Sequence, residues 1–344
     1  MNKLTKIGVS ALCGSLASIS AANAGSMEVL GGATATWSSN EGTVTGNSIG
    51  MHSGLTFKGS GELDNGTAFT LTITGADQAG YSSGSISMDT PSMGNIKIIG
   101  AAGGGGIDRF DDMMPTAWEE TNGTSLATGL TTVGGVTGSM SIEWSPSSDM
   151  LPEGLAIHLA YAPKADGTKA NDKASTGSVA TVAGSGHDIS VSYNGLVDGL
   201  NVFAGMSEIE QPIKSTGTST TGDRTQYVMG ATYAVGSVTV GYQQSRDNLQ
   251  LSAIGATTNY YDNEAFGISF NVNDDLSISY GSHSSTRSLR SGTSVELEAE
   301  SLQIAYTMGG ASIKLAESTV DNGSYTSGTS KDRDGTTIAL TLAF

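Results

Sequence analysis

The chain is 344 residues long, with 48 Gly, only 6 Pro, 14% charged residues and 37% hydrophobic ones. Charge this sparse does not suit a disordered chain, and the Gly follow no G-x-y period, which excludes collagen. A formal net charge of −17 is the wrong sign for a nucleic-acid binder, which must neutralise phosphates.

Residues 1–24 read as a signal peptide: Lys3 and Lys6 precede a short apolar stretch, residues 7–19, and Ala22-Asn23-Ala24 forms a small-residue cleavage site. The stretch is too short to stay in a bilayer as a helix, and no later window holds 18 consecutive apolar residues. An exported chain from Gly25 to Phe344 is therefore expected, without a transmembrane helix. The only cysteine, Cys13, lies in the leader behind Leu12, where lipid attachment wants a small residue. Neither a lipid anchor nor a disulfide is expected.

From there to the end, apolar and polar residues alternate with period 2, and helical period is almost absent. Residues 67–75 set Phe69, Leu71 and Ile73 against Thr70, Thr72 and Thr74. Residues 155–161 set Leu155, Ile157, Leu159 and Tyr161 against Ala156, His158 and Ala160. The last nine residues set Ile338, Leu340, Leu342 and Phe344 against Thr337, Ala339, Thr341 and Ala343. The pattern predicts sixteen strands, near 27–37, 48–58, 67–75, 84–90, 95–101, 138–145, 155–163, 186–194, 200–209, 225–235, 237–246, 260–270, 276–284, 296–307, 311–319 and 336–344.

The connections alternate in length. Short turns are expected at 64–66, 91–94, 195–199, 236, 271–275 and 309–310, and longer Ser/Thr/Gly/Asp-rich loops at 38–47, 76–83, 102–137, 164–185, 210–224, 247–259, 285–295 and 320–335. Short turns at one end and long loops at the other is the rule for transmembrane barrels. Only a closed barrel satisfies every backbone N–H and C=O in hydrocarbon without helices. A water-filled interior explains the mean hydropathy of −0.09, because the inner face is free to be Ser, Thr and Gly.

On these features the sequence resembles the general porins of Gram-negative outer membranes: an exported, acidic, Cys-free chain, a long third loop and a last strand ending in Phe344. The resemblance implies an all-β, sixteen-stranded antiparallel barrel over residues 25–344, a homotrimer, and a third loop folded inward as a constriction. It implies passage of small hydrophilic solutes and ions, contact with outer-membrane lipid and lipopolysaccharide, and no cofactor. It also makes Phe344 the signal read by the outer-membrane assembly machinery.

The longest connection, 102–137, carries Asp108, Asp111, Asp112, Glu119 and Glu120, with Arg109, and Phe110, Met113, Met114 and Trp118 to pin it to a wall. Loops of this length are usually functional, and these carboxylates are the candidate constriction. The alternative is an outward acidic loop touching lipopolysaccharide or a neighbouring subunit. Strand parity turns His52, Lys58, Lys97 and Lys314 inward, with Lys58 near the boundary, so the three lysines are the candidate opposing charges. Weak cation preference follows from an acidic chain, about −19 once the leader is gone.

Other patterns are accidental. Gly80-Tyr81-Ser82-Ser83-Gly84 fits G-x-S-x-G, but a nucleophile elbow needs a helix after it, so no enzyme is expected. His52, His158, His187 and His283 are scattered without a metal motif, and Asp332 and Asp334 form no complete EF-hand loop. Tyr161, Tyr193, Tyr242, Tyr280, Tyr306, Trp144 and Phe270 suit interfacial girdles. The competing readings are a substrate-selective channel on the same barrel, a surface structural protein or adhesin, and a hydrolase using Ser82.

Overall fold

The computed structural model of the protein describes residues 25–41, 47–77, 79–100, 103–124, 126–165, 184–211, 220–251, 258–329 and 331–343. The leader, Ala102 and Phe344 lie outside the described residues. Each segment with period-2 alternation is a strand. They are β1 (Ser26–Glu41), β2 (Ile49–Glu62), β3 (Ala68–Ala76), β4 (Ala79–Thr90), β5 (Gly94–Gly100), β6 (Met140–Ser145), β7 (Leu155–Ala162) and β8 (Gly186–Tyr193). There follow β9 (Leu200–Ile209), β10 (Arg224–Val235), β11 (Val238–Asn248), β12 (Thr258–Asn271), β13 (Leu276–Leu289), β14 (Ser294–Met308), β15 (Ala311–Asp321) and β16 (Arg333–Ala343).

Each strand pairs antiparallel with its sequence neighbours, and β1 closes on β16 through ten partners from Gly32↔Ala343 to Glu41↔Asp334. Closure leaves no edge strand. The apolar set faces outward: Leu55, Leu71, Ile142, Ile304, Leu340 and Leu342 are all exposed, whereas Thr337, Ser301 and Gln226 on the other parity are buried. This is the inverse of a soluble fold and suits a wall with lipid outside. No helix among the described residues is long and apolar enough to cross a membrane. The tight turns use Gly where the chain needs a left-handed residue, as at Gly236 (φ +59) between β10 and β11 and Gly309 (φ +62) between β14 and β15.

Two expectations about connections are corrected. The loop expected at 76–83 is a tight hairpin, with only residues 77 and 78 between β3 and β4. Asp77 turns it in a left-handed conformation (φ 54) and accepts the Ser53 N–H at 2.9 Å. The loop expected at 285–295 is strand except for 290–293. There the outward residues of β13, Ser284, Thr286 and Ser288, are polar where Ile278 and Tyr280 before them are apolar, so the hydrophobic alternation ends while the pairing continues. The link between β6 and β7 is longer than its neighbours at that end and holds a 3-10 turn, Ser148–Met150.

Candidate functional site: the loop on the inner wall

The connection between β5 and β6 leaves the barrel wall and returns along its polar face. Its entry is a 3-10 turn, Gly106–Phe110, held by two carboxylates. Glu143 on β6 accepts the Gly106 N–H at 2.6 Å and pairs with Arg109 at 2.6 Å. Asp188 on β8 accepts the N–H groups of Ile107 and Val136, each at 3.1 Å, tying the outgoing and returning limbs to one point. Phe110 stacks on Phe203 with ring centroids 4.8 Å apart, in a cluster with Ile107, Val133 and Val228 against which Met113 and Met114 pack. The residues expected to pin the loop therefore do so, except that Trp118 lies further along.

The loop next crosses β11 to β16 along a row of small residues. Gly241, Gly267, Gly281, Ser301, Ser318 and Gly335 are successive cross-strand partners on six neighbouring strands. A Cβ at Gly241 would lie 2.7 Å from Pro115 Cδ, one at Gly267 2.9 Å from the Pro115 carbonyl, and one at Gly281 inside the Thr121 hydroxyl. Thr124 Oγ1 meets Ser318 Oγ at 2.5 Å, and Leu126 packs over Gly335. The absence of side chains makes a gutter in which the loop lies. Polar residues fix its position along that gutter: Gln303 accepts the N–H groups of Trp118 and Glu119 at 3.1 Å each and donates to the Glu119 carbonyl at 2.8 Å. Gln226 accepts the Gly135 N–H at 2.7 Å.

The five expected carboxylates lie on the outgoing limb, which carries them close together. Burial pushes Asp111 up to about 7, with Asp108, Asp112 and Glu120 adding repulsion. Burial, then the hydrogen bond and charge of Glu120, pushes Asp112 up to about 6. Asp108 is raised by burial although it accepts the Gly104 N–H at 2.6 Å, and Glu120 is raised by burial and by Glu119. Asp111 therefore holds a proton part of the time near neutral pH.

The lysines stand in three different places. Lys58 stands opposite Glu28 in the register of β1 and β2, and Lys97 opposite Glu143 in that of β5 and β6. Lys314 lies beside the loop, its Nζ 5.8 Å from the Trp118 ring centre and 3.3 Å from Thr341 Oγ1. The inner arginines act as ties: Arg224 pairs with Asp247 at 2.6 Å, and Arg333 donates to the Leu126 and Ala127 carbonyls at 2.5 and 2.7 Å. The loop covers one side only. Thr56, Thr70, Thr72, Thr74, Ser83 and Ser85 on the inner faces of β2 to β4 stay partly exposed, while the inner face of β14 is buried from Leu297 to Ala305.

Glu143, Asp188, Gln226, Gln303 and the glycine row were absent from the sequence expectations. The first four carried a signal: each is a large polar residue at an inward strand position, where Ser, Thr, Gly and Ala are common. The catalytic-looking motif falls inside β4, where Ser82 Oγ donates to the Thr74 carbonyl at 2.9 Å. Asp332 accepts the Asn322 N–H at 2.8 Å.

A closed sixteen-stranded antiparallel barrel with a loop laid along its inner wall is the fold of the general porins. Comparison with solved structures gives the same fold. OmpF of Salmonella typhi, solved with daunomycin, superposes with a TM-score of 0.67 at 16% identity, over 92% of this chain and 97% of that one. OmpT of Vibrio cholerae in a trimer form gives 0.67 at 13% identity, over 93% and 99%. An anion-selective porin from Comamonas acidovorans gives 0.62 at 14% identity, over 93% and 100%. No protein-family model matches the sequence, and no curated protein is significantly similar to it.

Proposed function

We propose that this protein is an outer-membrane diffusion channel, passing ions and small hydrophilic solutes down their gradients with a weak preference for cations. The observation that carries this reading is the acidic loop seated along one side of a closed barrel while the hydroxyl-lined wall of β2 to β4 stays open. Solutes pass between that wall and the carboxylates Asp108, Asp111, Asp112, Glu119 and Glu120, whose field concentrates cations in the narrow path. Lys58, Lys97 and Lys314 moderate it. No step of this activity needs a cofactor or a catalytic residue.

The outward apolar faces meet outer-membrane lipid, and the polar outer rim at Glu296, Glu298 and Glu300 meets lipopolysaccharide. A homotrimer is favoured by the small and apolar outer face of β1 and β2, where Gly31, Ala33, Ala35 and Trp37 lie beside Met51 and Ile49. The leader directs export, and Phe344 engages the assembly machinery.

Planar-bilayer recording tests the reading. The purified protein is expected to insert in discrete conductance steps. Replacing Asp108, Asp111 and Asp112 by Asn is expected to move the zero-current potential in a salt gradient towards anions with only a modest change in conductance. An unchanged potential would remove the loop from the conduction path.

A further inference from the structure

The loop between β15 and β16 turns inward and grips the loop from β5. Its 3-10 turn, Gly323–Tyr325, contains two consecutive left-handed non-glycine residues, Ser324 (φ 55) and Tyr325 (φ 56), after a third at Asn322 (φ 53). Such conformations persist only where the surroundings impose them, and they cluster at clamps and switches. Here they bury Tyr325, with 4% exposure, among Leu126, Leu297, Ala299 and Val320, with Leu130 and Tyr261 packed against the cluster. The Tyr325 hydroxyl lies 2.7 Å from Ser285 Oγ on β13 and accepts the Thr131 N–H at 2.8 Å. Arg287 holds the turn from below, donating to the Tyr325 carbonyl at 2.9 Å with its guanidinium 5.3 Å from the ring centre. Ser324 N–H donates to the Thr128 carbonyl at 2.7 Å.

From this geometry we infer that Tyr325 is a positioning residue for the channel: a clip by which a second loop locks the tip of the acidic loop and sets how often the pore partly closes. The first loop is tied at its base by Glu143 and Asp188 and along its length by Gln303. Its tip, 126–131, is held by Arg333 and by this clip. Tyr325 joins three separate parts of the chain, since it bonds to the wall at Ser285 and to the loop at Thr131 from the β15–β16 connection. Releasing it leaves residues 129–131 of the tip held, among the described residues, only through Arg333 at Leu126 and Ala127 and the Ser324 N–H at Thr128, so that they swing towards the open path more often without unpairing any strand. The inference rests on the channel reading above, which conductance of the unaltered protein tests separately.

Tyr325→Phe removes both hydroxyl contacts and keeps the ring; Tyr325→Ala removes the ring as well. Each hydrogen bond lost is expected to shift the balance between open and partly closed levels by about threefold to tenfold. Subconductance events at a fixed voltage should therefore increase in Tyr325→Phe and further in Tyr325→Ala, while the folded barrel keeps its heat resistance on gels. A second variant guards against misfolding. A Cβ at Gly129 (φ +70) would lie 3.2 Å from Ser324 Cβ, a few tenths of an ångström short of the disulfide range, and the exported chain has no cysteine, so Gly129→Cys with Ser324→Cys, its bond verified by loss of free thiol, provides a reversible lock. Oxidation should suppress closures and reduction restore them in the same preparation. Gating unchanged in the Phe and Ala variants, or identical for oxidised and reduced protein, would overturn the clip while leaving the channel intact.

Discussion

Asp111 and Asp112 differ from ordinary surface carboxylates because the wall removes water from them and three further acids crowd the same limb. Raised carboxyl values mean that charge is lost on the acid side, so each group is an anion above its value and neutral below it. With Asp111 near 7 and Asp112 near 6, cation preference is expected to hold above about pH 8 and to fall as the pH drops through 7 and 6. Zero-current potentials read at several pH values in one salt gradient check this. A decline confined to the range below about pH 4, where free carboxyls titrate, would mean that the acids are fully hydrated and spaced apart.

At the scale of the element, the glycine row yields a separate expectation. Gly281→Val places three carbons where Thr121 now sits, and Val is well accepted in a strand. The barrel should therefore form normally while the loop is pushed off its gutter into the path, lowering single-channel conductance. Gly59→Val is the control, because a Cβ there meets nothing within 4 Å on the outer face. Equal conductance in both variants would show that the loop does not depend on that seat. This row also shows where reading the sequence stops. Sixteen strands were legible because apolar residues must alternate wherever one face meets lipid. The same rule lapses beyond the lipid, which is why residues 285–289 of the tall β13–β14 hairpin read as a loop: their outward members, Thr286 and Ser288, are polar. The acidic cluster was legible from its length and composition. Its seat was not, since Gly241, Gly267 and Gly281 become neighbours only through cross-strand register, which no local pattern encodes. Glu143 and Asp188 stood in between: strand parity turned them inward, but nothing local told what they would hold.

For the whole molecule, closure of β1 on β16 is the last pairing the chain can make, and the C-terminal strand carries the outward row Ile338, Leu340 and Leu342 before it is paired. Deleting Phe344 is expected to reduce the amount of barrel reaching the membrane much more than the heat resistance of what does arrive. Fractionation of cells making the truncated chain, followed by gel mobility with and without heating, separates the two effects. Normal membrane levels would show that Phe344 is not read during assembly.

The one-sided seat of the loop has a mechanical consequence. A wide thin-walled tube under lateral pressure flattens at whatever arc lacks internal support. The loop works as a strut, fastened to β6, β8 and β10 and to β13 through β16, so that arc is stiff. Among the described residues the opposite arc, β1 to β4, has no strut behind it, and in the proposed channel it is the bank along which solute would travel. Any bracing beyond its own strand pairing would come from outside. Neighbouring copies pressed against β1 and β2 would brace the soft bank of the channel, so that assembly between copies would hold the bore open rather than merely gather pores together.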